Sequence, residues 1–464
     1  MLIQLGIGSV YAQGIKPKIQ TAYQQFIKNP ALLSGIGSLT VLNAKTGEVV
    51  FEGNNQFGLP TASTLKVITS ITALDLLGED YTFQTHLYYT GEVDSLGILN
   101  GDIIIEGTGD PTLGSDRYPE TNASAILEKW KAEIIKLGIK HINGRIIADD
   151  GLYNGYDVPS TWMWGDIGNY YGAGTSALNW KENKKGINFT PGKTGQPATI
   201  NEDLSTTAYT IINEVKTGTV GSGDKVYGYS APYSNTIYLR GTYGSDLKKT
   251  IEISVPDPAF ELINDLSNLL AKDSILVQDT LITAKKLKDE NPTYKTPTDK
   301  KLLLTIKSPK LGEIVYWFNQ KSINLYGEAL LKEVGRISAN KTDPEESASL
   351  ISKYWQNKLK IPTNEINSFD GSGLSPQNRV TTNAMAKIMQ YARERAWFAT
   401  FLKSLPSING TSMKSGTIGG VLGYTGYQKA ADGQEYTFSL LVNNYQGSST
   451  TMRQNMFNLL NVLK

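Results

Sequence analysis

The sequence predicts an α+β, multidomain protein. Helical patterns with one apolar face gather near the start of the chain and again over its last third. Between them, from about residue 86 to residue 300, lie short strand patterns separated by Gly, Asn and Asp turns. Runs of strands set apart from runs of helices indicate segregated layers or separate domains. The length of 464 residues fits about three domains of ordinary size.

Composition removes several functions. Lys plus Arg number 45 against 44 for Asp plus Glu, so no basic excess points to nucleic acid. Cysteine is absent, which excludes thiol nucleophiles, disulfides and Cys-ligated metal sites. Only His86 and His141 are available to a Ser-His-Asp triad or a histidine metal site. Both read as structural or surface residues, and neither a metal nor another cofactor is implied.

The elements follow in order. Residues 1–12, MLIQLGIGSVYA, are apolar and end in Val-Tyr-Ala, which suits signal peptidase. We read 1–15 as the remnant of an export signal, against the alternative of a short strand. That reading places the mature protein in the periplasm or otherwise outside the cytoplasm. No later stretch approaches the ~20 apolar residues of a membrane span. Residues 39–42 and 49–51 form a strand pair around Thr46-Gly47-Glu48. A helix over 62–77 carries Leu65, Ile68, Ile71, Leu74 and Leu77 on one face and stops at Gly78. The middle span contains one clear helix, 123–137. Residues 185–250, rich in Thr, Ser, Gly and Tyr, read as a small, mostly β unit. Strand 302–306 leads into helices at 310–319, 323–334, 345–359 and 381–395. Strands at 424–429 and 436–442 precede a last helix, 451–463. Its row Met452, Met456, Leu459, Leu460 and Leu463 suits packing on a sheet better than a peripheral membrane contact.

Three short motifs carry chemistry. Ser63 and Lys66 stand one helical turn apart, so a neutral Lys66 amine can activate the Ser63 hydroxyl. A free lysine is neutral in only about one molecule per ~10³ at pH 7, so burial or a second cation must lower its pKa. Ser322 and Asn324 begin another helix, where Ser322 has the ordinary alternative of an N-cap. Lys414-Ser415-Gly416-Thr417 lies just before two strands, with a glycine turn as its alternative. Each motif is weak alone. Their order, Ser-x-x-Lys, Ser-x-Asn, Lys-Ser-Gly, matches the superfamily of penicillin-binding proteins and serine β-lactamases. Ser63 and Ser322 lie much further apart than Ser322 and Lys414. The chain between the first two motifs is therefore inserted into a transpeptidase-like domain.

Further segments narrow the resemblance. They are Gly107-Thr108-Gly109-Asp110-Pro111-Thr112-Leu113, Asp149-Asp150-Gly151-Leu152-Tyr153, Trp162-Met163-Trp164 and Tyr170-Tyr171-Gly172-Ala173. Ser322 to Glu328 and Asp370-Gly371-Ser372-Gly373-Leu374-Ser375 complete the set. The chain resembles the class C low-molecular-mass penicillin-binding proteins, the penicillin-binding protein 4 type of D-alanyl-D-alanine carboxypeptidase/endopeptidase. The resemblance implies a serine β-lactamase-like catalytic domain with two nested, mainly β inserted domains. Applied here, it gives a catalytic domain of 16–85 plus 302–464. The inserted domain is 86–184 plus 251–301, with 185–250 nested within it. The sequence departs from the family at Thr61, at Ser415 in the third motif, and at Pro376, where a basic residue is common; Arg379 stands nearby.

The resemblance also implies roles. Ser63 attacks the penultimate D-Ala carbonyl, and Lys66 takes its proton. Ser322 relays a proton to the leaving amine, and Asn324 orients the substrate amide. Lys414 supplies positive potential. Ser415 and Thr417 bind the terminal carboxylate, with Gly416 between them, and the Ser63 and Thr417 amides form the oxyanion hole. Asp149, at the end of a predicted strand, falls where the family places a carboxylate that pairs with the amine of the wall peptide's side chain. Asp150 is its rival, and a turn before Gly151 is the structural alternative. The expected partners are peptidoglycan stem peptides and cross-links, and β-lactam antibiotics. The competing functions are a serine β-lactamase and an inactive cell-wall binding protein. The sequence assigns no oligomeric state.

Overall fold

The computed structural model describes residues 14–202, 204, 207 and 209–464. The apolar start read as an export signal lies outside them, apart from Gly14 and Ile15. Both ends of the chain meet in one six-stranded antiparallel sheet. Its order is Val49–Gly53, Ile36–Asn43, Glu435–Asn443, Val421–Lys429, Thr411–Ile418 and Ser407–Ile408. Gly37 to Leu42 are buried without alternation, because the sheet is covered on both faces. One cover is the pair Ile15–Ile27 and Ser449–Leu460. Ile19, Tyr23 and Phe26 pack there with Met452, Met456, Leu459, Leu460 and Leu463, so the apolar side of the last helix is spent in the core. The first helix escaped notice in the sequence, although Ile19, Tyr23 and Phe26 repeat at helical spacing.

The other cover is a helical layer built around Lys66–Leu77. Lys66 through Leu74 are all buried, as a helix enclosed on every side must be. Leu311–Lys321, Asn324–Ala339, Pro344–Leu359 and Thr382–Ala392 surround it and share its core. Gly78 ends the central helix at φ +81°, a conformation open to glycine.

The chain leaves this layer at Gln84–Tyr89 and enters a second sheet, with the order Leu281–Thr283, Ile146–Asp149, Ile103–Gly107, Gln84–Tyr89, Lys301–Lys307. The expected return to the first unit at residue 302 falls inside its last strand, which pairs antiparallel with Gln84–Tyr89. The helix Ala123–Lys136 packs on this sheet beside a second helix, Pro258–Lys272, which the strand-rich texture had hidden. Asp257 caps that second helix by accepting from Phe260 N, and Pro258 fits its first turn. Asp110 likewise accepts from Thr112 N and Oγ1, so the Gly107 to Leu113 motif is a built turn. His86 bonds Thr305 between strands, and His141 bonds Gln278 at the surface. A separate small core, including Tyr209, Val226, Ile237, Leu239 and Tyr243, holds the nested strands Thr210–Asn213, Lys216–Gly218, Asp224–Tyr229 and Thr236–Gly244.

Candidate active site

Ser63 sits in the 3-10 turn Ala62–Leu65 that opens the buried helix. Ala62, just before it, has φ +46°, an unfavourable conformation for an L side chain. Gly373 packs against this turn at φ +84°, where an added Cβ would lie 1.9 Å from Ala62 O. The Asp370 to Ser375 segment is thus pressed against the nucleophile. Asp370 organises it by accepting from Gly373 N, Ser375 N, Asn378 Nδ2 and Trp162 Nε1.

Lys66 is fully buried, and its Nζ lies 3.0 Å from Ser63 Oγ, 2.6 Å from Asn324 Oδ1 and 2.7 Å from Ser372 O. A neutral amine has two N–H groups and one lone pair. Asn324 Oδ1 and the Ser372 carbonyl can only accept, so they take both N–H groups and leave the lone pair for the Ser63 hydroxyl. The Asn324 amide is held this way round because its Nδ2 donates to Tyr171 O at 2.7 Å. Burial pushes the Lys66 ammonium well below its usual pKa, and the Lys414 cation adds to the effect. Asp370 and Glu328 oppose it. Glu328 is itself buried and accepts from Gly371 N, while burial and Asp370 raise its carboxyl to about 8.

Ser322 does not cap the helix that follows it. It is the left-handed C-cap of Leu311–Lys321, at φ 56° and ψ 40°. This conformation turns its hydroxyl toward Lys414, whose Nζ donates to Ser322 Oγ at 3.1 Å and to Ser415 O at 2.9 Å. Lys414 to Thr417 form no turn; they lie inside the strand Thr411–Ile418. That strand lies so close to the nucleophile turn that a Cβ on Gly416 would come within 2.9 Å of Ser63 N. Thr417 is exposed to the cleft and accepts from Arg453 Nη2, whereas Ser415, two residues earlier on the strand, is half-buried.

Burial lowers Lys414 from 10.5 to about 7. A lysine whose folded pKa lies below its unfolded value costs stability, fully below pH 7 and progressively less as pH rises toward 10.5. Lys414→Met loses two buried hydrogen bonds but also this cost, so its melting point relative to the native chain should be most favourable near pH 6 and fall toward pH 10. Thermal unfolding across that range checks this, and a difference that does not fall as pH rises would contradict it.

The cleft above these groups has a volume of about 710 Å³. Ser63, Ser322, Asn324 and Thr417 line it together with Met163, Asp166, Tyr170 and Tyr171 of the inserted region. Asp149 is the one site candidate that the structure does not bring here. Its carboxylate accepts from Thr296 Oγ1 at 2.6 Å and from Gly151 N at 3.1 Å, so it closes the turn after its strand. Asp150 is buried and accepts from Lys285 N. Pro376 lines the cleft, but Arg379 folds back onto the Pro376 carbonyl. Four groups that complete the site were not assigned from sequence: the carbonyls of Ser372 and Tyr171, and the carboxyls of Glu328 and Asp370. The Asp370 motif was visible as a motif, but a backbone carbonyl leaves no mark in the sequence.

Comparison with known proteins identifies the family and the fold. The chain is 24% identical over 449 residues to a D-alanyl-D-alanine carboxypeptidase of Actinomadura sp. (strain R39), covering 91% of this chain and 80% of that protein. It is 22% identical to D-alanyl-D-alanine carboxypeptidase DacB of Haemophilus influenzae, over 87% of this chain and 84% of that protein. The crystal structure of penicillin binding protein 4 from Haemophilus influenzae superposes with a TM-score of 0.79 at 19% identity. That match covers 95% of this chain and 97% of the other, and establishes a shared fold. The model of the D-Ala-D-Ala carboxypeptidase 3 (S13) family matches residues 19–462, and the chain belongs to that family.

Proposed function

We propose that this protein is a serine-type D-Ala-D-Ala carboxypeptidase and endopeptidase, acting on peptidoglycan peptides through an acyl-enzyme on Ser63. The observation that carries the reading is the buried Lys66 amine, 3.0 Å from Ser63 Oγ, with both of its N–H groups engaged elsewhere. Lys66 takes the proton as Ser63 Oγ attacks the penultimate D-Ala carbonyl. The Ser63 and Thr417 amides bind the developing oxyanion, where one donor is worth about 2.7–4 kcal/mol in other enzymes. Ser322, backed by Lys414, receives the proton from Lys66 and passes its own to the leaving amine as the peptide C–N bond breaks. Water then attacks the acyl-enzyme, releases the shortened peptide and restores the Ser63 hydroxyl.

Asn324 orients the substrate amide, and Lys414, Thr417 and Ser415 serve the terminal carboxylate. Penicillin enters by the same attack on its strained lactam carbonyl. The leaving nitrogen stays tethered in the product, so the acyl-enzyme lasts. The substrate lies outside the cytoplasm, and the enzyme works there. Among the described residues no helix is long and apolar enough to cross a membrane.

Intact mass after incubation with benzylpenicillin should rise by one drug mass, and peptide mapping should place the adduct on Ser63. Ser63→Ala should remain unlabelled and folded. Labelling at another serine, or rapid release of hydrolysed drug, would overturn the assignment.

A further inference from the structure

A row of exposed aromatic rings leads out of the cleft and across the nested strands. Tyr170 and Tyr171 line the cleft and meet edge to face, with centroids 5.4 Å apart. Trp164 follows the cleft residue Met163, and its ring lies 5.0 Å from that of Tyr229. Tyr229 stands directly opposite Tyr238 in the antiparallel pair Asp224–Tyr229 and Thr236–Gly244. Tyr227, two residues earlier, stands opposite Arg240. Paired positions share a face, so these four side chains cover one surface while Val226, Ile237 and Leu239 fill the core behind it. The Arg240 guanidinium lies over the Tyr238 ring at 5.5 Å.

These rings are not core residues that happen to show an edge. Trp164 is 64% exposed, Tyr170 51%, Tyr227 47% and Tyr238 38%. A contiguous exposed aromatic surface marks a binding site more often than it serves the fold. Its chemistry also selects the occupant. A pyranose ring has an apolar C–H face, which stacks on the electron-rich face of an aromatic ring, and a rim of hydroxyls, which needs polar partners. Lys225 and Arg240, the latter also paired with Glu214, stand on the same face of this strand pair and supply such partners.

We propose that the surface formed by Trp164, Tyr227, Tyr229, Tyr238 and Arg240 binds the glycan strand of peptidoglycan. This rests on the reaction proposed above, because a stem peptide held in the cleft is covalently tethered to a sugar strand. At about 3.3–3.6 Å per extended residue, the four stem residues on the sugar side of the scissile bond span roughly 13–14 Å. The row begins at the mouth of the cleft, where Tyr170 already contributes to the wall. The inserted region then has a task apart from the chemistry: it docks the polymer so that successive stems reach Ser63.

The test uses the full chain with Tyr227→Ala and Tyr238→Ala combined, and Trp164→Ala separately. Isothermal titration calorimetry with soluble glycan strands stripped of peptide by an amidase measures binding. Release of D-Ala and of cleaved cross-links from intact sacculi measures use. Each variant should lose about tenfold in both measurements, while acylation by benzylpenicillin keeps its native rate. Failure of the native chain to bind peptide-free strands would overturn the proposal. So would native digestion of sacculi by both variants, or a matching loss in penicillin acylation, since that would place the rings in the support of the cleft. If Ser63 is never acylated, the proposed reaction falls, whereas the binding measurement still judges this surface independently.

Discussion

Lys66→Ala should slow acylation of Ser63 by about 10²–10⁴-fold, the range for losing a general base. The expectation follows from how the amine is held. Its two carbonyl partners, Asn324 Oδ1 at the start of the helix Asn324–Ala339 and Ser372 O in the Asp370 to Ser375 segment, fix Nζ in place. Removing the amine leaves both acceptors buried without that donor, at a cost of about 1–3 kcal/mol each. It also removes a lysine whose folded pKa lies below its unfolded value, a cost to stability below pH 10.5, so the two effects on stability oppose each other. The rate, by contrast, has no substitute base within reach: Lys414 Nζ is bonded to Ser322 and to its own strand.

The pH dependence separates this reading from a purely structural one. The base works when neutral, so acylation should rise with pH through the folded pKa of Lys66, well below the ordinary 10.5. The Lys414 cation is one cause of that depression. Lys414→Met should therefore move the rising limb to higher pH, whereas a variant that only loosened substrate binding would lower the whole curve in place. Stopped-flow acylation by a chromogenic β-lactam between pH 5 and 10 measures both. Native acylation by Lys66→Ala would place the base elsewhere, and an unmoved limb in Lys414→Met would show that the Lys414 charge does not act on it.

The sequence disclosed the parts of this site that are side chains acting at short range. Ser63 and Lys66 are legible because one helical turn aligns them. Ser322, Asn324 and Lys414 are legible because their order is chemically specific. Backbone partners were not legible. Ser372 O and Tyr171 O act through position alone, and any residue supplies a carbonyl. Asp149 was misplaced for a related reason: an aspartate at a strand end looks the same whether it faces a ligand or, as here, closes a turn through Gly151. The strand Lys301–Lys307 has the same ambiguity, since an apolar run does not say which of two sheets receives it. The left-handed Ser322 could not be foreseen either, because nothing local distinguishes a C-cap from the N-cap one residue on.

Gly416→Ala should reduce acylation by at least about 10²–10³-fold, the cost of losing one oxyanion donor. A Cβ at this position would stand 2.7 Å from Thr61 O, 2.8 Å from Thr64 N and 2.9 Å from Ser63 N. All three are backbone atoms, so no side chain can swing aside. The strand Thr411–Ile418 must retreat from the nucleophile turn instead. Retreat separates the amides of Ser63 and Thr417, which must converge on one oxygen, and draws Lys414 away from Ser322. The backbone at Gly416 is not in the left-handed region, so the added methyl acts through contact and not through torsional strain. The sheet should survive, because Gly416 still pairs with Gly423 across the neighbouring strand. Thermal unfolding should therefore change far less than the acylation rate. A Gly416→Ala protein that labels with penicillin at the native rate would show that the strand can yield without disturbing the two amides, and that the oxyanion is held by other donors.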